Sequence, residues 1–138
     1  ANISFRTSAG TPGTLTVSQV SAGRKNRLWF ELDAADASAV FDQENPETVW
    51  LGGERISRVL NRDPGHGSAD SRRVSITPAG HVQGWESCFE SFVKDVYQTI
   101  GGKPANGLPT FADGARSLRL VEAVLESASD KQWKQVEP

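Results

Sequence analysis

The chain has one cysteine, Cys88, and no methionine among its 138 residues. A lone thiol leaves no intramolecular disulfide, and one copy has no multi-cysteine zinc site. We therefore expect a reducing compartment, the cytoplasm. A basic excess is also missing: 15 Lys+Arg stand against 17 Asp+Glu, a formal net charge of -2. Nucleic-acid binders and proteins drawn to anionic membranes carry such an excess, so neither partner is expected. No run approaches the roughly 20 apolar residues of a membrane span. Ala1 to Gly10 is polar and has no apolar signal-peptide segment. There is no internal repeat and no low-complexity tract. Without an initiator methionine the chain reads either as one trimmed of Met or a tag, or as a piece of a longer protein.

What is present is the composition of an ordinary soluble domain, 37% hydrophobic and 23% charged. The length suits one domain, residues 1–138, with a core that needs no staples. Its first half alternates like strands. Thr14 to Val20 places Leu15 and Val17 on one face; Arg27 to Asp33 places Leu28, Phe30 and Leu32 opposite Trp29, Glu31 and Asp33. Ser38 to Asp42, Thr48 to Leu51 and Arg55 to Leu60 are further strands, and Ala1 to Thr7 adds an edge. Ser21-Ala22-Gly23 and Asn45-Pro46-Glu47 supply turn chemistry between them. Successive short strands with short turns predict an antiparallel meander.

Asn61 to Gly84, with four glycines and two prolines, reads as a long loop holding a short extended piece at Arg73 to Ile76. Long loops in compact domains are often functional. Two helices follow. Trp85, Phe89, Phe92, Val96 and Ile100 keep helical spacing until Gly101-Gly102, with Cys88 beside them. Thr110 caps the second helix with Asp113 as reciprocal partner, and Ala115, Leu118, Val121, Leu125 and Ala128 form its apolar face. Trp133 to Glu137 suits a terminal strand. The fold class expected is α+β: an open, mostly antiparallel sheet followed by two helices packed on one face.

Groups able to do chemistry are few. His66 and His81 both lie in the Gly-rich loop. Each reads either as a solvated loop histidine or as a polar contact in a ligand site, and their spacing makes no helical zinc motif. Cys88, on the core-bearing helix face, reads as a small buried hydrophobe rather than a nucleophile. Glu86 and Glu90 share a helix face, which fits a solvated surface better than an acid–base pair. Asp42 and Glu44 read as turn chemistry. Gly52-Gly53-Glu54 is not a dinucleotide fingerprint. Gly23-Arg24-Lys25-Asn26 puts two cations at a hairpin tip, either an anion grip or an exposed basic turn. Trp50 fits a sheet face. Trp85 opens a helix close after His81, where it is either packing or the wall of a pocket mouth.

Several segments in this order carry a resemblance: Val20-Ser-Ala-Gly-Arg-Lys-Asn-Arg-Leu-Trp-Phe-Glu-Leu-Asp33, Phe41-Asp-Gln-Glu-Asn-Pro46, Val49-Trp-Leu-Gly52, Gly80-His-Val-Gln-Gly-Trp85, Phe92-Val-Lys-Asp-Val-Tyr97, Pro109-Thr-Phe-Ala-Asp-Gly114 and Leu120-Val-Glu-Ala-Val-Leu-Glu-Ser127. Together, across Thr14 to Glu137, they resemble the carboxyl-terminal domain of the glucose–fructose oxidoreductase / inositol dehydrogenase / MocA family. The resemblance implies an NAD(P)-dependent oxidoreductase of sugars or polyols whose Rossmann domain lies upstream of this chain. The family's catalytic lysine, in a Glu-Lys-Pro motif, and the Asp and His on a following helix have no counterpart here. No catalytic residue is therefore assigned, and Lys25, Lys103 and Lys134 are not candidates. No cofactor is expected in this chain; NAD or NADP is expected in the full-length enzyme. His81 and Trp85 are the candidate substrate-binding residues, and no metal ligand is proposed. The resemblance further implies self-association through the sheet face bearing Trp29 and Trp50, opposite the covered one. The alternative is a stand-alone, non-catalytic domain that binds a protein partner or a small polyol.

Overall fold

The computed structural model describes residues 1–137. The described residues form six strands and three helices, and the chain divides into two compact units. One unit comprises Ala1–Gly23 with the chain from Pro109 onward; the other is Arg24–Leu108.

In the first unit, β1 (Asn2–Arg6) pairs antiparallel with β2 (Pro12–Thr16). Opposed pairs Ile3–Leu15 and Phe5–Gly13 share one face, and Asn2–Thr16 the other, where Thr16 Oγ1 donates to Asn2 Oδ1 at 3.0 Å. Gly13 has no Cβ because the Phe5 ring lies across it. The expected strand to Val20 stops at Thr16, and Val17 N donates to the carbonyl of Ala1 at 2.9 Å just beyond it. This pair is a two-stranded sheet of its own, not the edge of a single meander. Helix α3 (Phe111–Asp130) completes the regular structure of the unit.

In the second unit, β3 (Trp29–Asp33), β4 (Ala37–Asp42), β5 (Thr48–Gly53) and β6 (Ser57–Asn61) form a four-stranded antiparallel meander in sequence order. Register sorts the side chains into two faces. Phe30, Leu32, Ala39, Phe41, Val49, Leu51 and Leu60 lie on one, with the Phe30 and Phe41 rings 5.4 Å apart. Trp29, Val40, Trp50 and Val59 lie on the other, among Glu31, Ser38, Asp42, Thr48 and Ser57. Helices α1 (Ala69–Val74) and α2 (Trp85–Ile100) follow. The α+β class with an open antiparallel sheet is the one the sequence predicts.

Three local expectations are corrected. The loop from Asn61 contains α1, so Arg73 and Val74 are helical rather than extended; Ser68 accepts from Ser71 N at 3.1 Å as its N-cap, and Asp70 sits in the first turn. Trp133–Glu137 forms no strand. There Lys131 adopts the left-handed region (φ 58) and turns the chain, and Lys134 then pairs back onto Asp130 of α3. A core that closes by itself is also absent: no hydrophobic side chain among the described residues is buried, and Phe30, Leu32 and Leu60 stay exposed on the more apolar sheet face. Two apolar-bearing sheet faces need more cover than one meander supplies.

Candidate functional site

The Arg62-centred junction is the densest polar arrangement in the second unit. Register pairs Thr48 with Asn61, so Glu47 and Arg62, one residue beyond each, meet at the end of β5 and β6. Arg62 N donates to Glu47 O at 2.7 Å, and Arg62 Nε donates to Glu47 Oε2 at 2.9 Å. The rest of the guanidinium turns to the following loop. Nη1 donates to Thr77 O (2.9 Å), and Nη2 to Thr77 Oγ1 (2.7 Å) and His81 O (2.6 Å). Glu47 Oε1 accepts from Gln83 N at 2.7 Å. Gln83 in turn accepts from Ile76 N and donates to Val74 O, each at 2.8 Å. Planar fork donors meeting convergent oxygens make the strong class of protein hydrogen bond.

This junction delivers the two candidate substrate-binding residues. His81 has its carbonyl in the knot, while its ring is exposed and within 3.4 Å of Ala79 O. Trp85 is the first residue of α2, 74% exposed, with its ring stacked on Phe89 at 5.4 Å. The loop therefore holds its backbone inward and leaves an imidazole and an indole exposed.

The remaining candidates fall elsewhere. His66 bonds Asp63 at 3.1 Å from an exposed turn. The Asp63 carboxyl is held below its ordinary value of 3.8, chiefly by the Gly65 backbone N–H and then by His66. Cys88 is exposed, not buried as expected, because the α2 stripe that carries it lies open, Phe89 and Phe92 included. Glu90 lines a cavity of about 140 Å³ with Lys94 and Gln98. Inside that cavity Arg73 Nη1 grips both oxygens of Asp95, at 2.6 and 2.7 Å; Asp95, 8% exposed, is the one buried polar residue among those described. Arg24 at the basic tip is paired with Glu44 at 2.7 Å, which leaves Lys25 as that tip's second cation. Glu44 N donates to Asp42 Oδ1 at 3.0 Å, as turn chemistry predicts.

Gly52-Gly53-Glu54 does not form a dinucleotide cradle. Gly52 lies under the Trp50 ring, and Gly53 N is spent on Ile56 O at 3.1 Å. No cluster of three or more His, Cys, Asp or Glu among the described residues is placed to hold a metal. No described helix is long and apolar enough to cross a membrane. Sequence reasoning missed Glu47 and Arg62, whose bonds span up to 36 positions and leave no local signature.

The fold is one found in solved oxidoreductases. An oxidoreductase from Sinorhizobium meliloti matches 94% of this chain with a TM-score of 0.81 and 27% identity. An oxidoreductase domain protein from Kribbella flavida matches 99% at a TM-score of 0.82 and 23% identity. A levoglucosan dehydrogenase solved with NADH and levoglucosan matches 98% at 0.82 and 20% identity. The chain spans only 38%, 36% and 37% of these three proteins. No family model matches the chain. No curated protein sequence matches it either.

Proposed function

We propose that this chain is the carboxyl-terminal, substrate-side and oligomerisation domain of a cytoplasmic NAD(P)-dependent sugar or polyol oxidoreductase of the glucose–fructose oxidoreductase / inositol dehydrogenase / MocA family, and that it is not catalytically competent alone. The observation that carries the reading is 27% identity over 94% of this chain to one part of an oxidoreductase. The neighbours solved with NADH support NAD as the cofactor of the complete protein. Hydride transfer and its proton relay would lie with residues outside this chain; what this chain offers is a sugar-facing wall, His81 and Trp85. Aromatic faces stack on the apolar faces of sugars, and an imidazole bonds their hydroxyls. Trp29 and Trp50, 43% and 38% exposed on the more polar sheet face, form the surface for self-association.

Calorimetry with NAD(H) and NADP(H) tests the reading. The complete protein binds one of them saturably and reduces it when a sugar is added; the 138-residue chain binds neither. Micromolar binding by the isolated chain overturns the assignment. In the complete protein His81→Ala raises the sugar KM, and unchanged sugar kinetics remove His81 from the site. Light scattering at high concentration gives more than a monomer, and replacing Trp29 and Trp50 with Ser lowers that mass.

A further inference from the structure

We propose that Arg62, locked by Glu47, is a positioning residue that sets the placement of His81 and Trp85 for the sugar. The inference rests on the reading of those two residues as the substrate wall. Its geometric basis is separate.

One guanidinium gathers the segment that leads into α2. It takes the carbonyls of Thr77 and His81 and the hydroxyl of Thr77 within 2.9 Å, and the carbonyl of Pro78 at 3.4 Å. Thr77 Oγ1 also donates to His81 O at 2.9 Å, closing a ring of bonds around that carbonyl. Glu47 holds the guanidinium from the sheet side and, with its second oxygen, holds Gln83 N. Both side chains are sheltered, at 15% and 24% exposure, so water screens the pair less than a surface bridge. The anchor is the rigid end of two paired strands, Thr48 opposite Asn61. Helix α2 itself has only Gly84 at its N-cap and no side-chain cap. Its start is placed by the knot instead.

The division of roles is what points to positioning. Every group bound in the knot is backbone, or the side chain of Thr77, Gln83, Glu47 or Arg62. The imidazole and the indole are left out of it. A loop whose backbone is over-determined and whose ligand-type side chains stay exposed is how a site is held to the sub-ångström tolerance that binding needs. Lysine cannot replace this arginine, because a single ammonium has no planar fork to serve acceptors on three sides.

The test uses the complete protein. Wild type, Arg62→Lys, Glu47→Gln and each combined with His81→Ala are assayed for NAD or NADP reduction with levoglucosan, D-glucose and myo-inositol as probes. The expected result is a rise in sugar KM of about tenfold for either single variant, with the cofactor KM unchanged. In the His81→Ala background the same variants add less than they cost alone, because one of the two side chains they position is already gone. A purely structural role would instead act equally in both backgrounds. Unchanged sugar KM in an active protein, or full additivity with His81→Ala, overturns the positioning role and leaves the functional reading standing. A wild type that turns over none of the probes overturns the functional reading, and the positioning role with it. Should Arg62→Lys fail to fold, Glu47→Gln, which keeps side-chain size and an accepting oxygen, decides the matter; unfolding of both by circular dichroism overturns the proposal.

Discussion

Helix α3 begins on a cap made from its own first turn, whereas helix α2 begins on bonds that reach back 36 positions to Glu47. At α3, Thr110 Oγ1 accepts from Asp113 N at 3.3 Å, and Asp113 Oδ2 accepts from Thr110 N at 2.7 Å. Two otherwise orphaned donors are satisfied by residues three apart. At α2, Gly84 offers no side chain, and the preceding residues are fixed by Glu47, Arg62 and Gln83. A local cap survives any rearrangement of the chain around it. A nonlocal one exists only when the sheet has formed, so it ties the approach to α2 to the register of β5 and β6.

Breaking the nonlocal start carries the largest expected effect. Arg62→Ala strands the Glu47 carboxylate and three carbonyls in a sheltered spot, and should cost about 2–3 kcal/mol. Denaturant unfolding measures the loss. Hydrogen exchange locates it: the amides of Ile76 and Gln83, which bond Gln83 Oε1 and Glu47 Oε1, should lose protection while those of α3 keep theirs. Equal loss in both helices would mean the two starts are not independent.

The local start is worth less. Thr110→Ala should cost about 1 kcal/mol, the usual value of an N-cap hydroxyl, and fray only the first turn of α3. Exchange at Asp113 and Gly114 reads it. Protection at Gln83 should not change.

The same cap gives the comparison a pH handle. Hydrogen bonds from the Thr110 hydroxyl and then its backbone N–H hold the Asp113 carboxyl below its ordinary value of 3.8. A carboxyl whose folded value is depressed contributes stability that is complete above its unfolded value and is lost as pH falls through its folded value. The α3 N-terminus should therefore loosen below pH 3.8, followed through the carboxyl resonance of Asp113 by NMR. Asp113→Asn should remove that step and leave the rest of the acid transition in place.

The two starts also explain what was legible in the sequence. Thr110 and Asp113 announce their helix by spacing, and the alternation of Phe30, Leu32, Val49 and Leu51 announces the strands, because each signal is written within a few residues. Ser68 with Asp70 carried the same kind of signal for α1, hidden by the glycines around it. Glu47 looked like a turn residue and Arg62 like the start of a loop. Nothing within reach of either in sequence marks the contact, which is set by the pairing of Thr48 with Asn61. For the site, His81 and Trp85 stood out by type and place. The group that holds their segment did not, since a guanidinium reading backbone carbonyls imposes no residue identity on the loop it reads.

The far end of α3 offers the smallest effect, and one of opposite sign. The C-cap is Lys131, the only non-glycine residue with positive φ among those described (φ 58). A side chain there crowds the carbonyl that follows, at about 1 kcal/mol. Glycine removes the crowding but makes the unfolded chain freer, and it gives up a cation near the negative end of the helix dipole, worth about 0.3 kcal/mol when exposed. With the unfolded-chain cost at about 0.5 kcal/mol, these terms leave Lys131→Gly stabilising by about 0.2 kcal/mol, and a dipole contribution above about 0.5 kcal/mol would reverse the sign. A small rise in the midpoint of thermal unfolding is the expected result. A fall would mean that the lysine contributes more to α3 than its backbone costs, and that this helix is not as self-contained at its end as it is at its start.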